Sequence, residues 1–172
     1  MKLSNCFLLV IIGLGITPAS FAEPVKVIGW IEHVRLQSSN MLMKAKIDTG
    51  ADNSSLHATN ITMYEKDNTR MVRFSIENKE GETADFDMPL IRIANIKRKG
   101  AEPLKRPVVS MDLCIGNTLQ TAHVNLANRE NFQYRMLIGR SFLKEHFLVN
   151  SNKQYSSEPA CGGDTVAQSE PS

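Results

Sequence analysis

An all-β domain, built as a closed barrel of about six or seven short strands with one short C-terminal helix, is the fold class this chain predicts. Three observations predict it. Apolar and polar residues alternate in several short runs, Gly- and Asn-bearing turns separate the runs, and helical signal is confined to about Ser141 to His146. The 172 residues, 42% hydrophobic and 22% charged, suit one folded domain.

The N-terminus reads as a secretory signal peptide over residues 1–22. Lys2 supplies the positive region, Phe7 to Ile16 the apolar one, and Ser20-Phe21-Ala22 the small residues of a cleavage site. The apolar run is shorter than the roughly 20 residues that span a bilayer, and no later segment is long enough. The mature chain is therefore expected to start near Glu23, without a transmembrane segment, in the periplasm or medium. The folded domain is expected over 23–150.

The first clear strand precedes a short loop. Met41, Met43, Ala45 and Ile47 alternate with Leu42, Lys44, Lys46 and Asp48, and Thr49, Gly50 and Ala51 follow. Gly50 is suited to the positive φ of a sharp turn, and the Thr49 hydroxyl to bonding nearby backbone. Alone, Asp-Thr-Gly is an ordinary turn. It also sets a carboxylate at a strand end, where an acid/base catalyst is useful.

Further strands are expected downstream. Met71 to Glu77 and Glu82 to Met88 flank a polar hairpin turn at Asn78 to Gly81, and Leu90 to Lys97 alternates less regularly. Lys97-Arg98-Lys99, with Lys105 and Arg106 nearby, reads as a solvated loop around Gly100, the alternative being an edge that meets an acidic substrate or surface. Val108 to Ile115 and Thr118 to Ala127 are joined by Gly116-Asn117, a two-residue hairpin turn. Met136 to Phe142, MLIGRSF, combines an apolar strand end with a Gly and an Arg heading a helix-like run. Residues 151–172, rich in Ser, Gly and Pro, read as a flexible polar tail.

Several chemistries are excluded. Net charge is only +2, and no basic cluster interleaves with aromatics, so nucleic acid is not an expected partner. His33, His57, His123 and His146 form no His-Glu-x-x-His, and the cysteines form no Cys-x-x-Cys, so no metal is expected. There is no Gly-x-x-x-x-Gly-Lys phosphate loop for ATP, and no Gly-x-Ser-x-Gly elbow to make Ser54 or Ser55 a nucleophile. No cofactor is expected.

Loss of the leader would remove Cys6 and leave Cys114 and Cys161 in an oxidising compartment. A disulfide between them and a buried thiol at Cys114 are both open readings.

The pairing of DTGA with LIGR, in that order, resembles retroviral aspartic proteases. The chain from about Ile28 to Val149 is more specifically similar to the bacterial retropepsin-like aspartic endopeptidase family, long labelled ATP-dependent zinc proteases. That resemblance runs through Gly29-Trp30, KAKIDTGA with SSLHA, Arg106-Pro107-Val108, Asn128-Arg129 and Tyr134 to Arg140. It implies the acid-protease barrel and hydrolysis of peptide or protein substrates by water held between two aspartates.

This sequence has one Asp-Thr-Gly, so the resemblance implies a homodimer that presents Asp48 twice. It implies that Thr49 and Gly50 brace the loop across the dimer axis and that Ala51 lies beside the substrate backbone. It also implies that Ile138 and Gly139 support the loop and that Asp52 and Arg140 form a bidentate pair. His57, directly after the loop, is expected to bond backbone beneath it. No Gly-rich flap is visible between Asp48 and Gly139. The alternative is a non-catalytic periplasmic peptide-binding or adaptor module that keeps the barrel.

Overall fold

The computed structural model describes residues 24–98 and 100–162. The expected signal peptide at 1–22 and the end of the expected tail at 163–172 lie outside the described residues. The described chain is all-β apart from a single turn of helix.

In chain order the strands are β1 (Lys26–Leu36), β2 (Met41–Ile47), β3 (Ser54–His57), β4 (Thr59–Lys66), β5 (Thr69–Glu77) and β6 (Thr83–Pro89). Then come β7 (Arg92–Arg98), β8 (Ala101–Ile115), β9 (Thr118–Ala127), β10 (Met136–Ile138), helix α1 (Arg140–Leu143) and β11 (Phe147–Gln154). Among the described residues eleven strands replace the six or seven expected.

Six of these strands close a ring of hydrogen bonds. β1 pairs with β2, β2 with β10, β10 with β3, β3 with β9, and β9 with β8. The ring shuts where Arg35 and Leu36 of β1 meet Cys114 and Leu113 of β8. On β2 the alternation is realised as expected: Met41, Met43, Ala45 and Ile47 point into the core, and Lys44 and Lys46 point out. Leu36, Leu56, Met111, Leu113, Val124, Leu126, Met136 and Ile138 complete the buried interior.

A separate three-stranded sheet, β4-β5-β6, packs on this core through Val72, Phe74 and Ile76. The Phe74 and Phe86 rings stack across β5 and β6 with centroids 5.2 Å apart, a pairing that contributes about 0.5–1.5 kcal/mol beyond area burial. Asp67 and Asn68 take φ of 48° and 61° in the β4–β5 turn, the left-handed pair that suits a two-residue hairpin.

The basic run is not a free loop. β7 and β8 pair antiparallel from Arg92↔Val108 to Arg98↔Ala101, and β9 joins β8 only from Val108 onward. The segment before Val108 is therefore a two-stranded ribbon projecting from the ring, with Gly100 at its tip at φ 72°.

The C-terminal segment also departs from expectation, because order continues past residue 150. β11 lies parallel to β1, Lys26↔Phe147 through Gly29↔Asn150. Glu32, 0% exposed, accepts hydrogen bonds from the Gly29 amide at 2.5 Å and the Ser156 amide at 3.1 Å, and also from the Ser156 hydroxyl. A Cβ on Gly29 would collide with the Lys153 carbonyl oxygen, so this close crossing requires glycine. A Cys114–Cys161 disulfide, with Cα atoms 5.9 Å apart, ties the segment to β8 and resolves the two cysteine readings.

Candidate active site

β2 delivers Asp48 to the edge of the ring, and the following loop is stitched to the β10–α1 junction. The Asp48 amide donates to the Ile138 carbonyl at 2.8 Å, and the Arg140 and Ser141 amides donate to the Ala51 and Asp52 carbonyls at 2.9 Å each. The Gly139 amide donates to Ser54 Oγ at 3.2 Å. These bonds account for backbone groups that neither strand can pair, which is why two segments distant in sequence fold as one unit.

Gly139 is required by crowding. A Cβ there would stand 2.6 Å from the Asn53 carbonyl carbon and 2.8 Å from the Asp52 oxygen. Gly50 has a different role from the one expected, since its φ is not positive. Its amide donates to Asp48 Oδ1 at 3.1 Å, and a Cβ would lie 3.3 Å from that oxygen. Glycine here lets the backbone approach the carboxylate.

Asp52 and Arg140 do meet, though not as a bidentate fork. Arg140 Nη2 lies 3.7 Å from Asp52 Oδ1, beyond hydrogen-bond range, and both side chains are solvated. Nη1 instead donates to the Thr49 carbonyl at 3.0 Å. The guanidinium thus braces loop backbone, and Thr49 itself is exposed.

The half-buried Asp48 carboxylate opens on a cleft of about 370 Å³ lined by Trp30, Lys46, Arg129, Phe132, Tyr134 and Leu137. Arg129 and its neighbours were not among the expected site residues. Arg129 is 7% exposed, its guanidinium sits over the Phe132 ring at 4.5 Å, and Nε donates to the Tyr134 carbonyl at 3.2 Å. Burial and the like charge of Arg106 press its pKa down, and the Asp48 carboxylate opposes them. An arginine stays protonated regardless, so a fixed cation faces Asp48.

Arg106, on the ribbon, is also held below its usual range by burial, and its Nε has no hydrogen-bond partner among the described residues. Arg92 anchors the ribbon base to Asn53 Oδ1 at 3.3 Å. An Asn-Arg dipeptide entering an aromatic-bearing loop was the signal available in the sequence. Only the fold shows that the loop overhangs Asp48.

His57 is 4% exposed and bonds backbone, accepting at Nδ1 from the Arg129 amide at 2.8 Å. Burial and Arg135 lower its pKa against Glu130, the Ala127 carbonyl and Glu77, which keeps the ring neutral near pH 7. Among the described residues no group of three His, Cys, Asp or Glu side chains gathers as a metal site, and no helix is long and apolar enough to cross a membrane.

Three comparisons bear on this geometry. A family model described as RimB-like, retropepsin-like aspartic endopeptidase RimB, matches residues 27–160. A probable alpha-L-glutamate ligase of Shewanella pealeana is 29% identical over 116 residues, which are 66% of this chain and 25% of the relative. Its counterpart in Shewanella halifaxensis is 30% identical over the same shares. The chain spans about a quarter of the length of these curated relatives.

A crystal structure of a protein of unknown function from Legionella pneumophila superimposes with a TM-score of 0.67 at 32% identity, covering 77% of this chain and 98% of that one. Fold, stitched loop and matched residues agree. The chain belongs to the RimB-like family of retropepsin-like aspartic endopeptidases.

Proposed function

We propose that this protein is an exported aspartic endopeptidase whose active site assembles from two copies of the chain, each contributing Asp48. The observation that carries the reading is Asp48 itself: a half-buried carboxylate with a fixed backbone, at the mouth of a cleft, in a chain with one Asp-Thr-Gly. One carboxylate cannot act as base and acid in the same step. Two aspartates about 3 Å apart share a proton, so one can activate water while the other protonates the leaving amine.

Support for a second copy lies beside the loop. β11 is an edge strand, and Val25, Val27 and Leu148 on the β1–β11 side are 50–61% exposed. Val27 and Leu148 are register partners. A shallow apolar groove of Leu143, Phe147, Leu148 and Val149 runs up to Thr49 and Arg140. An exposed apolar face at an open sheet edge is the kind of surface that pairs with another chain.

The substrate class best suited to the cleft is an acidic peptide, because Lys46, Arg106 and Arg129 set positive charge around it. The curated relatives are named probable alpha-L-glutamate ligases, a name that carries an acidic amino acid. The disulfide supports export to an oxidising compartment.

Asp48→Asn should abolish cleavage of a Glu-rich peptide with far- and near-UV circular dichroism unchanged. Retained cleavage would reject the reading. A second reading, a non-catalytic module, is favoured by the matched segment forming only a quarter of proteins named as ligases. It expects the wild type to bind the peptide without cleaving it.

A further inference from the structure

Residues 128–135 run from the end of β9 to the start of β10 and carry Arg129, Phe132 and Tyr134, which form one wall of the Asp48 cleft. Both ends of this loop are tied to His57. At the entry, the Arg129 amide donates to His57 Nδ1 at 2.8 Å. At the exit, the His57 amide donates to the Arg135 carbonyl at 2.7 Å, and the next amide, Ala58, donates to the Ala127 carbonyl at 3.1 Å. The backbone ties are available to any residue, whereas the Arg129 tie needs a side-chain acceptor at Nδ1.

We propose that His57 is a positioning residue for the cleft wall: neutral, it latches the loop through the Arg129 amide, and protonation unlatches it. This rests on reading the cleft as the substrate site. A protonated imidazole carries hydrogen on both nitrogens, so Nδ1 can no longer accept, and the Arg129 N–H loses its partner in a buried setting.

The groups facing His57 are mixed in sign. Arg135, which donates to the Glu77 and Asn78 carbonyls at 2.9 and 3.0 Å and lies 3.4 Å from the Glu77 carboxylate, disfavours the imidazolium. Glu77 from β5 and Glu130 from the loop favour it, as does the Ala127 carbonyl of β9. Burial outweighs them, so the latch is closed at neutral pH and opens below the ordinary histidine value of about 6.5.

The test compares wild type, His57→Asn and His57→Leu by amide hydrogen exchange between pH 7.5 and 5, expressed as protection relative to intrinsic exchange. Asn places a non-titrating acceptor near the Nδ1 position, and Leu places none. In the wild type, protection of the Arg129 amide should fall at least tenfold across the range. In His57→Asn it should stay high and flat, and in His57→Leu it should be low throughout.

For a Glu-rich peptide, KM divided by that of His57→Asn at the same pH should follow the same pattern, while kcat divided by that of His57→Asn at the same pH changes less than twofold, since titration of the aspartates is common to all three proteins. Uniform loss of protection, β8 and β9 included, would mean that His57→Leu unfolds, and the Asn profile then decides. Wild-type protection that does not fall with pH, or an Asn profile as steep as the wild type's, overturns the latch. Lost protection with an unchanged KM overturns the positioning role. Absence of cleavage in all three proteins would reject the endopeptidase reading and leave the exchange profiles to decide the latch.

Discussion

Arg140 holds the Asp48 loop through the Thr49 carbonyl, 3.0 Å from its Nη1, and only secondarily through the Asp52 carboxylate at 3.7 Å. A backbone carbonyl is a partner the sequence cannot advertise. The hydrogen bond and the longer ion pair predict different mutants. Asp52→Ala should cost less than about 0.5 kcal/mol, since an exposed pair contributes little. Arg140→Ala should cost about 1 kcal/mol by losing a charged donor to the loop, and should lower turnover as well. Urea denaturation of both variants checks this, and equal costs would put the carboxylate in control.

Gly139→Ala should be among the most damaging single-methyl changes. The added carbon would press on Asn53 and Asp52 backbone, which is itself bonded to α1 and has no flexible end to yield. A loss of about 1–3 kcal/mol is expected by chemical denaturation, with activity reduced further because the loop carries Asp48. A change below about 0.5 kcal/mol would show that the loop can give way.

Reduction of Cys114–Cys161 should destabilise the fold by about 2–4 kcal/mol, as the bond spans 47 residues of sequence. The double variant Cys114→Ala with Cys161→Ala should match the reduced wild type in thermal melts. Because Glu32 separately holds Ser156, β11 should stay paired with β1. A melting temperature that ignores reductant would contradict this.

On the face of the three-stranded sheet, Asp87 accepts from the Tyr64 hydroxyl at 2.5 and 2.6 Å and from Arg73 at 2.9 Å, and these donors hold its pKa below the usual carboxylate value. The sign follows from linkage. A depressed folded pKa adds stability above the unfolded value of about 3.9, and that stability is lost as pH falls through the folded one. Asp87→Asn should flatten this acid limb in urea midpoints measured from pH 5 downward. An unchanged limb would place the acid sensitivity elsewhere.

What could be read from sequence follows from which strands have one wet face. β2 and β9 alternate because one side meets the core, and the β5–β6 and β8–β9 turns carry Asn and Gly where the chain must reverse. β4 was missed because it is exposed almost throughout and so has no alternation. β11 was missed as a strand because its apolar start is short and the residues after it are polar, and what holds it is pairing with β1, the buried Glu32 and the disulfide.

At the site, Asp48 and the Gly139-Arg140 junction were legible as motifs. Arg129 was not, because its importance comes from a loop that only the closed ring brings over Asp48.

The central claim, an active site shared between two chains, is tested most directly by titrating wild type with Asp48→Asn protein at constant total concentration, after exchange of subunits, and measuring peptide cleavage. A shared dyad predicts activity proportional to the square of the wild-type fraction, so a half-and-half mixture retains about a quarter. Activity that falls in direct proportion to the wild-type fraction would contradict it.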